Sequence, residues 1–150
     1  MRHAVAVLIL VLLGFCGIAA VADASPSPEA KMIAKINKVR AHERGLRPLH
    51  TSPNLERSAG AFASWLIHHD QFQHRPSVSV TRSYAHAGEA LAINYTLKAQ
   101  VGGTLRSWLA SPSHRALVLT KSMGLVGVGH ASASSAGGAR TIWVLQVARR

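Results

Sequence analysis

His86-Ala87-Gly88-Glu89-Ala90-Leu91-Ala92 is a glycine-acid turn running into a short apolar segment. Upstream lies Phe72-Gln73-His74-Arg75, and downstream lies Trp108-Leu109-Ala110-Ser111-Pro112-Ser113-His114-Arg115. Each piece sets a carboxylate or an imidazole beside a large apolar anchor. Together they predict one site built from His74, Glu89 and His114, with the rest of the chain as its scaffold.

Around that core the pattern is helical first and extended last. Ile33, Ile36 and Val39 recur at helical spacing, with Lys31, Lys35 and Lys38 turned outward, and predict a helix from Glu29 to Arg44. Glu29 near its start and Arg44 near its end suit the helix dipole, and Gly45 supplies a stop. Leu46-Arg47-Pro48-Leu49 reads as an extended connector. Ser52 as cap and Pro53 at the first position predict a second helix, with Leu55, Ala59, Phe62 and Leu66 as its apolar stripe, ending around His68 to Asp70. Residues 75–87 show no firm period and read as a loop. Gly88 to Tyr95 reads as a strand. Leu97, Val101, Leu105 and Trp108 predict a third helix from Leu97 to Ala110 capped by Thr96, against the cost of Gly102-Gly103 in a helix interior, about 1 kcal/mol each. Ser111-Pro112 predicts a short fourth helix to about Leu119. Leu125 to Ala131 and Thr141 to Ala148 predict an antiparallel hairpin joined by a Ser/Gly/Ala loop. Trp143, Leu145 and Val147 then share one face, and Ile142, Val144 and Gln146 the other. Helices followed by strands imply an α+β domain.

Composition bounds the setting. The chain has 150 residues. Residues 1–24 read as a signal peptide: a short basic start, a charge-free run from Ala4 to Ala22, and a small-residue cleavage site at Ala22-Asp23-Ala24. The alternative is an uncleaved membrane anchor, since the run approaches the ~20 residues that span a bilayer. Residues 25–28 read as a linker and 29–150 as one domain. Cleavage predicts a secreted or periplasmic protein. Cys16, the only cysteine, lies in the signal segment. The mature domain therefore has no disulfide, thiol nucleophile or cysteine zinc cluster. The net charge is +11 and the pI about 11.4. This balance favours anionic partners such as a lipid surface or an acidic envelope polymer, against the alternative of a merely solvated basic surface. Without a recognisable nucleic-acid motif, charge alone does not favour nucleic acid.

Two histidines and a carboxylate are ligand types that zinc or a similar divalent cation takes, with positions left for water. His114, in the first turn of its short helix, is disfavoured as imidazolium by the helix dipole, and a neutral ring is the metal-binding form. A chain with nine histidines also offers such trios by chance, and structural or solvated roles stand beside the metal reading. His68 and His69 cannot share one helix side and read as surface residues. Glu89 is a candidate general base. There is no His-Glu-x-x-His helix and no Gly-x-Ser-x-Gly elbow. Ser111 and Ser113 read as capping residues.

In this order the pieces resemble the CAP superfamily of cysteine-rich secretory, antigen 5 and pathogenesis-related proteins, and within it the small bacterial SCP-like extracellular domains. The resemblance rests on Ile36-Asn37-Lys38-Val39-Arg40, Gly45 to Leu49, and Leu55 with Ala59 and Ala63. It continues through Phe72-Gln73-His74, Gly88 to Ala92, and Trp108 with Ser111 to Arg115. Val126-Gly127-Val128-Gly129 and Trp143-Val144-Leu145-Gln146 complete it. It implies an α-β-α sandwich with a small antiparallel sheet between helical layers. It also implies a cleft of two His and two acidic residues that binds a divalent cation in several members. His74, Glu89 and His114 match three of the four. The second acid has no counterpart, because no Asp or Glu occurs from Ala90 to Arg150, and the family's Gly-Glu-Asn motif reads Gly88-Glu89-Ala90. These readings predict a secreted, non-enzymatic binding domain for a lipid or anionic envelope ligand, with a weakly held divalent ion such as Zn. One alternative is a metal-dependent hydrolase of envelope or peptide substrates. Another is a purely structural His/Glu cluster.

Overall fold

The computed structural model describes residues 25–75 and 83–150. The predicted signal peptide and residues 76–82 of the predicted loop lie outside the described residues. Helix α1 spans Pro28–Arg44. The Ala30 amide donates to the Ser27 hydroxyl, and Gly45 closes the helix in the left-handed region at φ 56°. That conformation costs an L side chain about 1 kcal/mol and glycine nothing. The connector is pinned by Asn37, whose side-chain amide donates to the Leu49 carbonyl (3.0 Å) and accepts from the Leu49 amide (2.8 Å).

A two-residue strand β1 (His50–Thr51) precedes α2 (Pro53–His68). Then come β2 (His86–Asn94), α3 (Val101–Ala110), α4 (Pro112–Val118), β3 (Leu125–Ser135) and β4 (Gly138–Arg149). The sheet order is β1-β3-β4-β2. It is antiparallel except for β1, which pairs with β3 in parallel through two residues.

The sheet lies between two helical layers, as the α-β-α reading expects. Trp143, Leu145 and Val147 face Met32, Ile33 and Ile36 of α1 and Leu105 and Trp108 of α3. On the opposite face, Leu91, Ile142 and Val144 meet Ala59, Phe62, Ala63, Leu66 and Ile67 of α2. The alternation along β4 is the one expected, and both of its faces are buried. Gly127 and Gly129 allow α2 to lie directly on β3. A Cβ on Gly127 would sit 2.2 Å from the Leu55 carbonyl carbon, and one on Gly129 would sit 2.3 Å from the Gly60 amide nitrogen.

Three expectations are corrected. Helix α3 begins at Val101, four residues late, with Gln100 rather than Thr96 at its N-cap. Thr96 instead accepts from the Lys98 amide, and its carbonyl accepts from the Thr141 hydroxyl. These bonds hold the segment off the helix and place Gly102 and Gly103 in the first turn rather than the interior. The hairpin is longer than expected, since most of the Ser/Ala/Gly stretch is strand and only Ala136-Gly137 forms the turn. Neither Ser52 nor Ser111 caps through its side chain. The Ser52 hydroxyl bonds Tyr84 (2.9 Å) and that of Ser111 bonds Ser113 (3.3 Å).

Candidate functional site

The site straddles β2, an edge strand, and collects residues from three parts of the chain. His74 arrives from the segment after α2. The turn after that helix places Asp70, a non-glycine residue, at φ 53°, a conformation Asp tolerates better than most. Asp70 also pairs with Arg140. The turn sends Phe72 to Arg75 back along the sheet edge. Glu89 projects from β2 on the α2 side, opposite Gln146 of β4. His114 comes from α4 on the other side of the sheet. Gly88 lets α4 approach: a Cβ there would lie 2.4 Å from Leu117 Cδ1, one helical turn beyond His114. Helix α3 is tied to the same edge by the Trp108 indole, which donates to the Leu91 carbonyl at 3.1 Å.

Glu89 is the hub. Its side chain is 5% exposed, against 53% for His74. Oε1 lies 3.1 Å from His74 Nδ1, and Oε2 accepts from Gln146 Nε2 at 3.0 Å. The Arg75 guanidinium stands 3.9 Å from Oε2. Gln146 is fully buried. Its amide group must face the carboxylate, because the reverse would set two acceptors together. Its Oε1 then has no hydrogen-bond partner among the described residues. Arg75 lies over the Phe62 ring, 3.9 Å from the centroid, a cation-π placement, and donates to the Ser58 carbonyl at 3.4 Å. Burial pushes the Arg75 guanidinium below its usual value, and Glu89 opposes that shift.

His114 stands near His74. Burial, and then the charge of His74, hold its imidazole below the ordinary value of 6.5. The neutral ring expected from the helix end thus has burial as its main cause. Among the described residues no hydrogen bond reaches the His114 ring. Neither do three His, Cys, Asp or Glu side chains gather there closely enough to hold a metal ion. The structure therefore brings His74 and Glu89 into contact and sets His114 beside them. His68 and His69 lie on the surface, each with Nδ1 against a carbonyl one turn back.

Sequence reasoning missed Arg75 and Gln146 as partners of Glu89, and Arg40 as the strut beneath α4. Arg40 is fully buried. It donates to the carbonyls of Arg47 (3.1 Å), Val118 (2.6 Å) and Thr120 (3.1 Å). A cation facing the last carbonyls of α4 also complements that helix's dipole. The only available signal was an Arg at a core-facing spacing of α1. Next to Glu89 an open cleft of about 430 Å³ is walled by Ala61, Phe62 and Trp65 and rimmed by Gln73, His74 and Arg75.

A sheet carrying one helix on one face and three on the other, with an imidazole-carboxylate pair on its edge strand, defines an α-β-α domain of the SCP type. Solved structures share this fold. An extracellular protein containing an SCP domain from Bacillus anthracis superposes with a TM-score of 0.67 at 18% identity, over 82% of this chain and 40% of that one. An outer surface protein of Borrelia burgdorferi gives 0.63 at 19% identity, over 80% and 90%. Venom allergen-like protein 4 of Schistosoma mansoni gives 0.63 at 14%, over 83% and 90%. The model of the cysteine-rich secretory protein (CAP) family matches residues 33–147, and the chain belongs to that family. No curated protein matches it. Despite the family's name, the described domain contains no cysteine.

Proposed function

We propose that this is a secreted, non-enzymatic binding domain whose edge-strand cleft takes an anionic amphiphile, a lipid or lipid-like envelope component. One observation carries the reading: the cleft pairs an apolar aromatic wall with a rim that bears Arg75 and His74. An acyl or other apolar portion suits Phe62 and Trp65, and an anionic head suits the guanidinium. Trp65 is 42% exposed and Phe72 48%. Large exposed aromatics beside a cleft mark contact surfaces more often than scattered apolar residues do. No helix among the described residues is long and apolar enough to cross a membrane. The extracellular setting is supported by the signal-like N-terminus and by relatives described as extracellular or outer-surface proteins.

Several features argue against catalysis. Both carboxylate oxygens of Glu89 are engaged, Oε1 by His74 and Oε2 by Gln146, with the Arg75 guanidinium beside Oε2. The hydroxyls flanking His114, those of Ser111 and Ser113, bond each other. A divalent cation is a secondary part of the proposal. His74, Glu89 and His114 supply suitable donor types, but Gln146 and Arg75 already satisfy the carboxylate, so any such binding is weak.

Flotation with phosphatidylglycerol and phosphatidylcholine vesicles tests the reading. The protein is expected to float with the anionic vesicles, to release them as salt rises, and to show a blue shift of Trp65 emission. Trp108 and Trp143 are buried and report little. Trp65→Ala and Arg75→Ala are expected to lose binding. Equal binding to both vesicles, or unchanged binding by the two variants, would refute the proposal.

A further inference from the structure

A second surface lies on the opposite helical layer and owes nothing to the cleft reading. Lys31, Lys35, Lys38 and His42 follow one another along α1 at intervals of four, three and four residues, and all four are exposed. At 1.5 Å per residue they form a stripe roughly 16 Å long, with neighbouring cations on the order of 6 Å apart. The stripe borders a groove of about 350 Å³ between α1 and α3. Lys35, Lys38 and His42 form one wall and Arg106 of α3 stands on the other. The Arg106 guanidinium lies over Gly102, its Nη1 3.6 Å from where a Cβ would stand, which is ordinary van der Waals contact. Val39, Leu105 and Leu109 line the floor. The one acid in the groove, Glu43, is held by Arg115. Among the described residues Lys31, Lys35, Lys38 and Arg106 have no ion pair.

Cations on two sides of an open groove with a recessed apolar floor suit a linear polyanion better than a flat bilayer, which would favour coplanar charges and protruding apolar groups. The spacing matches a chain with one phosphodiester every 6 Å or so. Single-stranded nucleic acid has a similar phosphate spacing, but its bases require aromatic platforms. No Phe, Tyr or Trp lines this groove. Its floor is aliphatic. We propose that the α1–α3 groove binds a polyol-phosphate polymer of the cell envelope, with phosphates on Lys35, Lys38 and Arg106 and the short aliphatic units over Leu105 and Leu109.

Affinity electrophoresis against poly(glycerol phosphate) tests this, with single-stranded DNA and phosphatidylglycerol vesicles as competitors. Lys35→Ala/Lys38→Ala/Arg106→Ala is compared with Arg57→Ala/Lys121→Ala/Arg150→Ala, which removes the same charge from exposed positions outside the groove. The groove variant is expected to bind about tenfold more weakly at moderate salt and to lose about two units of the salt slope, while the control changes less than about twofold. Equal losses in both variants would reduce the effect to net charge and overturn the proposal. So would absence of polymer binding, or DNA or vesicles displacing the polymer at equal phosphate concentration. A second readout needs no variant: bound polymer is expected to protect Lys35 and Lys38 of the unaltered protein from acetylation and to leave Lys98 and Lys121 reactive. The reverse pattern would also overturn it.

Discussion

Arg40 shows how one side chain can hold up a site it never touches. Its guanidinium is buried, and burial lowers its proton affinity, yet three carbonyls from the connector and the end of α4 hold it. Arg40→Met leaves those carbonyls without donors in a dry environment. It is expected to cost about 3 kcal/mol in urea unfolding, since hydrogen bonds to charged groups contribute roughly 1.5–3 kcal/mol and orphaned partners add a penalty. Arg40→Lys is expected to recover only part, because one ammonium cannot span three acceptors that a planar fork reaches. Equal stability of Arg40→Met and wild type would show the strut to be idle. At the other end of α1, Glu29 pairs with His130 of β3, whose ring stacks on Trp143 with centroids 4.6 Å apart. Burial pushes the Glu29 carboxyl up, but hydrogen bonds from its own backbone, His130 and Ser27 outweigh it and hold the group below the ordinary value of 4.5. A carboxylate depressed in the folded state contributes stability that is present above the unfolded value and lost as pH falls through the folded one. Glu29→Gln is therefore expected to flatten the stability profile between roughly pH 5 and 3. An unchanged acid limb would assign that limb to other carboxylates.

Helix α2 and strand β3 meet more closely than any side chain between them would permit, and this separates three glycines that look alike in sequence. At Gly127 and Gly129 an added methyl meets backbone within 2.2–2.3 Å, and backbone cannot step aside. Gly127→Ala and Gly129→Ala are each expected to cost about 1–3 kcal/mol, as overpacking does. At Gly88 the methyl meets only Leu117 Cδ1, the tip of a side chain with other rotamers. Gly88→Ala is therefore expected to cost under about 1.5 kcal/mol. Thermal melts of the three variants give the ranking, and a Gly88→Ala loss matching the others would contradict it. The elements themselves were legible where periodicity and punctuation agreed. Gly45 closes α1, Pro53 opens α2, and the alternation along β4 sorts its two faces, whereas Ser27 and Pro28, read as linker, turn out to cap and open α1. Legibility failed where a local bond overrode the pattern. Leu97 continues the helical spacing of α3, but the Thr96 bonds to Lys98 and Thr141 hold that segment off the helix. The hairpin looked short because Ser, Ala and Gly carry little strand preference, and there the ladder between β3 and β4 imposes the strand.

At the scale of the molecule the site is a meeting of two layers across an edge strand, and this explains how much of it could be read in advance. His74 and Glu89 were legible because each sits in a short segment with its own anchor, and they do meet. Gln146 and Arg40 were not legible, because their contacts join residues 57 and 78 positions apart and exist only once the sheet and helices have packed. The same packing half-buries His114 near His74 and keeps its ring below 6.5. The sign of the consequence follows. As pH drops below 6.5 the unfolded chain takes up a proton that folded His114 resists, so the stability contributed by the neutral ring is present above that value and lost as pH falls through the lowered one. An anionic head group in the cleft reverses the preference, since a nearby negative charge favours imidazolium. Affinity for phosphatidylglycerol vesicles is accordingly expected to rise over the same fall in pH in which the free protein loses stability. His114→Gln is expected to remove both trends while leaving the melting temperature at about pH 8 nearly unchanged, because no hydrogen bond among the described residues depends on the ring. A second imidazole, His74, stands on the cleft rim, so the decisive quantity is the difference between wild type and His114→Gln across roughly pH 5 to 8. If the two proteins keep parallel affinity and stability profiles, His114 has no part in the cleft's charge. A large loss of stability at the alkaline end of that range would instead make it a structural member of the cluster.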